Sequence, residues 1–188
     1  MGALISHIRS SLGLKKQHPV LICGQKWYSG KTTILYTQLR PLSGPIDIVS
    51  TVGFNVESVT YANMHFVFWD LGGRDKLRPV WKDHFNQFAA VIFVVDSTEV
   101  GRLDDAAYNL SCLLDFTGTR KDSDVPLLVY ANKQDLEGAK STQEIAEALK
   151  LGQLRNRSWK IIACSATDGM GITEGMDWLV QAVRCKRG

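Results

Sequence analysis

Cysteine is scarce and scattered in this chain. Cys23, Cys112, Cys164 and Cys185 include no C-x-x-C pair. That spacing argues against a disulfide framework and a zinc ribbon, and it fits a reducing compartment. Long hydrophobic runs are missing too. The longest, Phe88 to Val95, has eight residues, far short of the ~20 that a membrane-spanning helix needs. Leu4, Ile5 and Ile8 are interspersed with polar residues and lack a cleavage-type continuation, which argues against a secretory signal. Neither charge sign dominates: the net charge is +3, so no nucleic-acid partner is expected. No internal repeat, low-complexity segment or linker stands out. What remains is 188 residues, 45% hydrophobic and 22% charged, an ordinary composition with enough apolar material for one domain and its core.

Three short apolar runs, Val20–Cys23, Ala89–Val95 and Leu127–Ala131, are bounded by polar loops, with a weaker fourth at Ile161–Ala163. Continuous apolarity of this length suits strands buried on both faces of a parallel sheet. Helical patterns lie between them. Leu103, Ala106, Ala107, Leu110 and Leu114 recur at helical spacing, and Ile172, Met176, Leu179, Val180 and Val183 form a closing amphipathic helix. Ser141-x-x-Glu144 is a capping-box signature. The alternation predicts a doubly wound α/β fold. Phe54–Tyr61 and His65–Trp69 are the exception. The short Ala62-Asn63 connection between them predicts an antiparallel hairpin.

The first strand runs into Gly24-Gln25-Lys26-Trp27-Tyr28-Ser29-Gly30-Lys31-Thr32-Thr33, where a helix is predicted to begin. Backbone N–H groups in such a loop cradle phosphates, aided by the positive end of the helix. The cradle is assigned to Gln25 through Thr33. Lys31 is placed to reach the β- and γ-phosphates, and the Thr32 hydroxyl to ligate Mg²⁺. The usual pattern, G-x-x-x-x-G-K-[ST], puts its first glycine at position 25. Here that residue is Gln25, and the glycine sits one residue earlier, at Gly24.

Asn132-Lys133-Gln134-Asp135 follows the Leu127–Ala131 strand. Ligands of open α/β sheets bind at the carboxyl ends of the strands. The two Asp135 oxygens match the adjacent N1–H and N2–H₂ donors of guanine, a pair that adenine lacks. Lys133 can lay its stem along the base, and the Ser165-Ala166-Thr167 backbone is expected to offer an N–H to guanine O6. The order and spacing of Gly-Lys-Thr and this motif argue against a nucleotide kinase.

With these segments assembled, the chain resembles the Arf family of small GTPases over nearly its whole length. The resemblance rests on Gly30–Tyr36, Thr51–Glu57, Trp69-Asp70-Leu71-Gly72-Gly73, Ile92–Ser97 and Ala131–Leu136. It implies the P-loop small-GTPase fold: a mostly parallel six-stranded sheet with one antiparallel interswitch hairpin and helices on both faces. It implies GTP or GDP and Mg²⁺ as cofactors. Thr51 would join Mg²⁺ only in the GTP state, Asp70 would hold it through water, and the Gly73 N–H would meet the γ-phosphate. The hairpin would slide in register between nucleotide states. Phe54 and Trp69 match two members of an effector-binding aromatic triad whose third, usually tyrosine, is His84 here. Trp81 lies beside them in the second switch. Ordinary core packing is the alternative for Phe54, Trp69 and Trp81. Leu12–Lys16 and the approach to the first switch resemble the Arf-like branch that recruits a ciliary coat. Thr51–Glu57 looks more like the Golgi branch.

Two features separate this chain from the common pattern. Arg74 stands where such GTPases carry the glutamine that orients the attacking water. A guanidinium is always charged and accepts no hydrogen bond, so slow intrinsic hydrolysis is expected. A solvent-facing Arg74 is the bland alternative. At the other end, Met1-Gly2-Ala3-Leu4-Ile5-Ser6 fits the myristoylation pattern at Gly2. Leu4, Ile5, Ile8 and Leu12 share a helical face beside Arg9, Lys15 and Lys16, the second signal that stable anchoring requires. Residues 1–17 are read as an amphipathic membrane helix and linker, and 18–188 as the GTPase domain. The expected partners are a membrane surface, an effector or coat protein, an exchange factor and a GTPase-activating protein. The expected state is a cytoplasmic monomer reversibly bound to Golgi, endosomal or ciliary membrane. A hydrolysing switch, a GTP-dependent recruitment module with negligible turnover and a nucleotide-weak interaction domain all remain open readings.

Overall fold

The computed structural model of the protein describes residues 16–25, 28–39, 54–71, 88–117, 125–155 and 157–185. The apolar runs become strands of one six-stranded sheet. These are β1 (Gln17–Gly24), β2 (Phe54–Tyr61), β3 (Met64–Leu71), β4 (Ala90–Asp96), β5 (Leu127–Asn132) and β6 (Trp159–Ala163), in the order β2-β3-β1-β4-β5-β6. Every pairing is parallel except β2–β3. β1 already includes Gln17, so the strand starts one residue before the expected domain boundary.

Alternation along the strands assigns each side chain to a face. Val20, Ile22, Ile92 and Val94 point to one core with Ile34 and Leu35. Helix α4 (Ile172–Cys185) closes that core with Met176, Leu179 and Val183. Leu21, Cys23, Val91, Phe93 and Val95 point to the other. Leu103, Ala106, Leu110 and Leu113 of α2 (Leu103–Thr117) cover that face, together with Ile145 of α3 (Thr142–Ala148). β4 and β5 are buried along their whole length, which is why their sequences run apolar without alternating. β6 read weakly because it is the outer strand and only Ile162 in it is fully buried.

The capping box forms as expected. Ser141 Oγ accepts from the Glu144 N–H, and the Ser141 N–H donates to the Glu144 carboxylate at 2.9 Å. Those bonds and Lys140 hold the Glu144 carboxyl down at about 2.

The helix after the phosphate loop differs from expectation. A single α turn, α1 (Lys31–Thr33), gives way to a π-helical segment, Ile34–Leu39. Thr37 Oγ1 donates to the Thr33 carbonyl at 2.7 Å, a back-bond that competes with the α-helical ladder. Thr37 Oγ1 also reaches the Ala166 carbonyl at 3.2 Å, and Gln38 Nε2 does so at 3.0 Å. The wider turn thus lets two neighbouring side chains address one carbonyl of the β6–α4 loop.

The β2–β3 hairpin forms as expected, with Tyr61 opposite Met64, one residue before the expected start of its second strand. Its two-residue turn has positive φ at both positions, 47° at Ala62 and 62° at Asn63, the geometry that matches strand twist. Arg184 of α4 donates to the Ala62 carbonyl at 2.9 Å, and the Tyr61 hydroxyl donates to Asp177 at 2.8 Å. Alanine is a poor residue for the left-handed region. Ala62→Gly removes that strain while keeping the carbonyl. It should stabilise the protein by about 0.5–1 kcal/mol, read as a higher urea midpoint at unchanged m value.

Candidate functional site

The carboxyl ends of β1, β3, β4, β5 and β6 deliver the loops that the sequence singled out to one edge of the sheet. Gly24 ends β1 with φ +154°, and a Cβ there would run into the Val94 carbonyl. Its glycine therefore serves strand packing. The next residue opens the loop. The Gln25 N–H donates to the Val94 carbonyl at 3.0 Å. The buried Gln25 side chain accepts from the Asp96 N–H at 2.9 Å and donates to the Arg102 carbonyl at 3.3 Å. A glutamine stands where the usual pattern has glycine because its side chain ties the loop to the end of β4. The side chain thus has a structural role; the cradle assignment of Gln25 concerns its backbone.

Lys31 lies almost fully buried inside the loop. Its Nζ donates to the Gln25 carbonyl at 3.0 Å and to Ser29 Oγ at 2.9 Å. Burial pulls the Lys31 pKa below its usual value, and the Asp70 charge opposes that shift. Thr32 Oγ1 donates to Asp70 Oδ2 at 2.7 Å. This bond joins the start of α1 to the end of β3. A hydroxyl and a carboxylate are hard oxygen donors suited to Mg²⁺, which characteristically takes one or two protein oxygens and draws the rest from water and phosphates. Among the described residues no group of three His, Cys, Asp or Glu gathers to hold a metal ion, so phosphate oxygens would complete such a site. Thr33 is half-buried in α1, and Tyr28 is exposed with φ 50°.

Asn132 ties the two halves of the site together. Its Nδ2 donates to the Ser29 carbonyl at 2.8 Å, and its Oδ1 accepts from the Ala166 N–H at 2.8 Å. Gly30 lies beside it at φ +96°, where a Cβ would overlap Asn132 Nδ2. Lys133 has φ 69°, and its ammonium pairs with Asp96 Oδ2. Asp96 also accepts from the Thr98 N–H and hydroxyl. The Lys133 head group is thus fixed, leaving the methylene stem to lie against a base. Asp135 is exposed, and the adjacent Gln134 N–H donates to the Cys164 carbonyl at 3.1 Å, which places this motif beside the β6–α4 loop. The Ser165 N–H donates to the Met170 carbonyl, and Ala166 spends its own N–H on Asn132. A guanine O6 would therefore share the Ala166 donor with Asn132.

Asp96 and the Thr37–Gln38 pair are the parts that sequence reasoning missed. A carboxylate closing an otherwise apolar β4 was the available signal for Asp96. Thr37 and Gln38 carry no motif. Trp69 is half-buried and packs edge-on against Phe88, ring centroids 6.1 Å apart. Phe54 pairs with Leu71 through the backbone. Gly2, Lys26, Trp27, Thr51, Gly73, Arg74, Trp81 and His84 lie outside the described residues.

A ligand with phosphates at one end and a purine bearing adjacent donors at the other uses this whole sheet edge. That requirement puts the protein in the class of small GTP-binding switches. The chain belongs to the ADP-ribosylation factor family, whose model matches residues 4–183. It is 42% identical to ADP-ribosylation factor-like protein 1 of Saccharomyces cerevisiae over 185 residues, covering 98% of each chain. It is also similar to the solved structure of the Arl6 BBS3 small GTPase of Trypanosoma brucei with the bound nucleotide analogue GppNp. That match has a TM-score of 0.80 at 33% identity and covers 91% of this chain and 99% of the other.

Two outcomes test this geometry. Asn132→Ala breaks both ties and leaves buried backbone groups unmatched, so it should cost roughly 2–4 kcal/mol in urea unfolding and sharply weaken guanine-nucleotide binding. Burial raises the Cys23 thiol to about 12 and pushes Cys164 up as well. A thiol reagent at pH 8 should therefore spare both in the native protein, label exposed Cys185, and reach the buried pair only after unfolding.

Proposed function

We propose that this protein is a GTP-dependent membrane-recruitment switch whose intrinsic hydrolysis is slow. The observation that carries the reading is the Thr32–Asp70 bond at 2.7 Å, set where β3 leads into Gly72-Gly73-Arg74. Thr32 and Asp70, the latter through water, would hold Mg²⁺, with Thr51 joining in the GTP state. The metal would supply charge neutralisation on the phosphates. Lys31 would bind the β- and γ-phosphates, and the Gly73 N–H would sense the γ-phosphate. Asn132, Lys133, Asp135 and the Ser165-Ala166 backbone would select guanine.

Hydrolysis of this kind depends on positioning and charge stabilisation. Arg74 supplies no acceptor to hold the attacking water. Its charge can instead favour an anionic γ-phosphate oxygen, biasing the protein toward its GTP form. Residues 1–17, acylated at Gly2, would anchor that form to a cytoplasmic membrane surface. Phe54, Trp69, Trp81 and His84 would face an effector or coat, with exchange and activating proteins resetting the cycle. The recruitment module with negligible turnover is the second reading, and Arg74 itself favours it.

Nucleotide extracted from natively purified protein should be guanine nucleotide, with GTP enriched. Finding none would sink the switch altogether. In single-turnover hydrolysis, Arg74→Gln should raise the rate on the order of 10- to 100-fold, the scale lost when a reacting group is misplaced. An unchanged rate defeats the role given to Arg74.

A further inference from the structure

The phosphate loop carries an internal substitute for its ligand. Ser29 is fully buried. Its Oγ accepts from Lys31 Nζ at 2.9 Å while donating to the Gln25 carbonyl at 3.2 Å. The same carbonyl accepts from Lys31 at 3.0 Å. Lys31, Ser29 and Gln25 thus close a small ring of hydrogen bonds inside the loop. The Gln25 side chain locks the ring to β4 and to the Arg102 carbonyl, and Asn132 Nδ2 holds the Ser29 carbonyl at 2.8 Å. Ser29 therefore cannot drift away when Lys31 turns toward it. A buried ammonium without a phosphate needs acceptors, and the hydroxyl provides one that an alanine at this position would not.

We propose that Ser29 is a built-in acceptor for Lys31 that holds the phosphate loop closed when no nucleotide is present, and so weakens nucleotide affinity and hastens release. The inference rests on the guanine-nucleotide reading of the site. The Lys31 ammonium has three N–H donors, of which the loop takes two, so a nucleotide that engages it through both β- and γ-phosphate oxygens displaces one loop acceptor, and the free state gains an interaction that this bound state gives up. Differences of this kind fall mainly on the dissociation rate. Ser29 is a positioning residue here. Its backbone N–H remains available to a phosphate and is retained in Ser29→Ala.

The test compares wild type with Ser29→Ala, a smaller side chain that the buried site accommodates. Dissociation of a fluorescent, non-hydrolysable GTP analogue should slow about 3- to 10-fold in the variant. That is less than a full charge-assisted bond is worth, because the Gln25 carbonyl still serves Lys31. Unchanged or faster dissociation overturns the inference. Melting separates this role from a merely structural one. After removal of nucleotide with EDTA, the variant should melt lower than wild type, whereas loaded with a non-hydrolysable GTP analogue and Mg²⁺ it should melt at least as high. An equal loss in both states assigns Ser29 to ordinary packing and overturns the inference. Wild type that binds no guanine nucleotide overturns the functional reading separately. The Ser29 ring then stands or falls on the nucleotide-free melting alone, and equal temperatures there reject it.

Discussion

The site depends on one side chain, Asn132. It stands at the end of β5, almost wholly buried, with one amide atom on each neighbouring loop. The Ser29 carbonyl belongs to the loop after β1, and the Ala166 N–H to the loop after β6. Loops gain precision only when something rigid holds them. Here the rigid part is a strand buried along its length, flanked by parallel partners on both sides. The strand needs no loop residue for its own stability, so it can dictate the spacing between the phosphate end and the base end.

Close approach is the second constraint, and it accounts for the glycines better than the motif does. Gly30 must lack a side chain because Asn132 occupies the space a Cβ would need. Gly24 must lack one because the Val94 carbonyl does. These are different demands at the two ends of one loop. Counting from Gly30 made the first glycine look displaced. Counting from β1, Gly24 lies where β1 presses against β4. The extra residue is absorbed by Gln25, whose side chain replaces the missing turn glycine with two anchoring bonds to backbone.

Legibility in the sequence followed burial. β4 and β5 read plainly because both of their faces are covered. β6 read weakly because one of its edges is open. The β2–β3 hairpin was readable from its short Ala62-Asn63 connection. The π-helical segment was not, because Ile34 and Leu35 bury at positions that also suit an α-helix. Thr37 and Gln38 in that segment reach a carbonyl more than a hundred residues away. Long-range polar ties leave no periodic trace. Lys31, Thr32, Asp70, Asn132 and Lys133 lie along one edge of the sheet, yet the motifs gave no hint that Asp96 fastens Lys133.

That last tie also connects the two ends of the site. Gln25 in the phosphate loop accepts from the Asp96 N–H, and the Asp96 carboxylate holds the Lys133 ammonium. Gln25 and Lys133 are therefore linked through one intermediate residue at the end of β4. A second route runs from the Ser29 carbonyl through Asn132 to Ala166. Both are short, buried for much of their length, and anchored on strands that cannot shift without disturbing two hydrophobic cores. Such an arrangement resists gradual deformation. The loop after β1 and the loops after β5 and β6 are thus tied to one another through buried polar contacts.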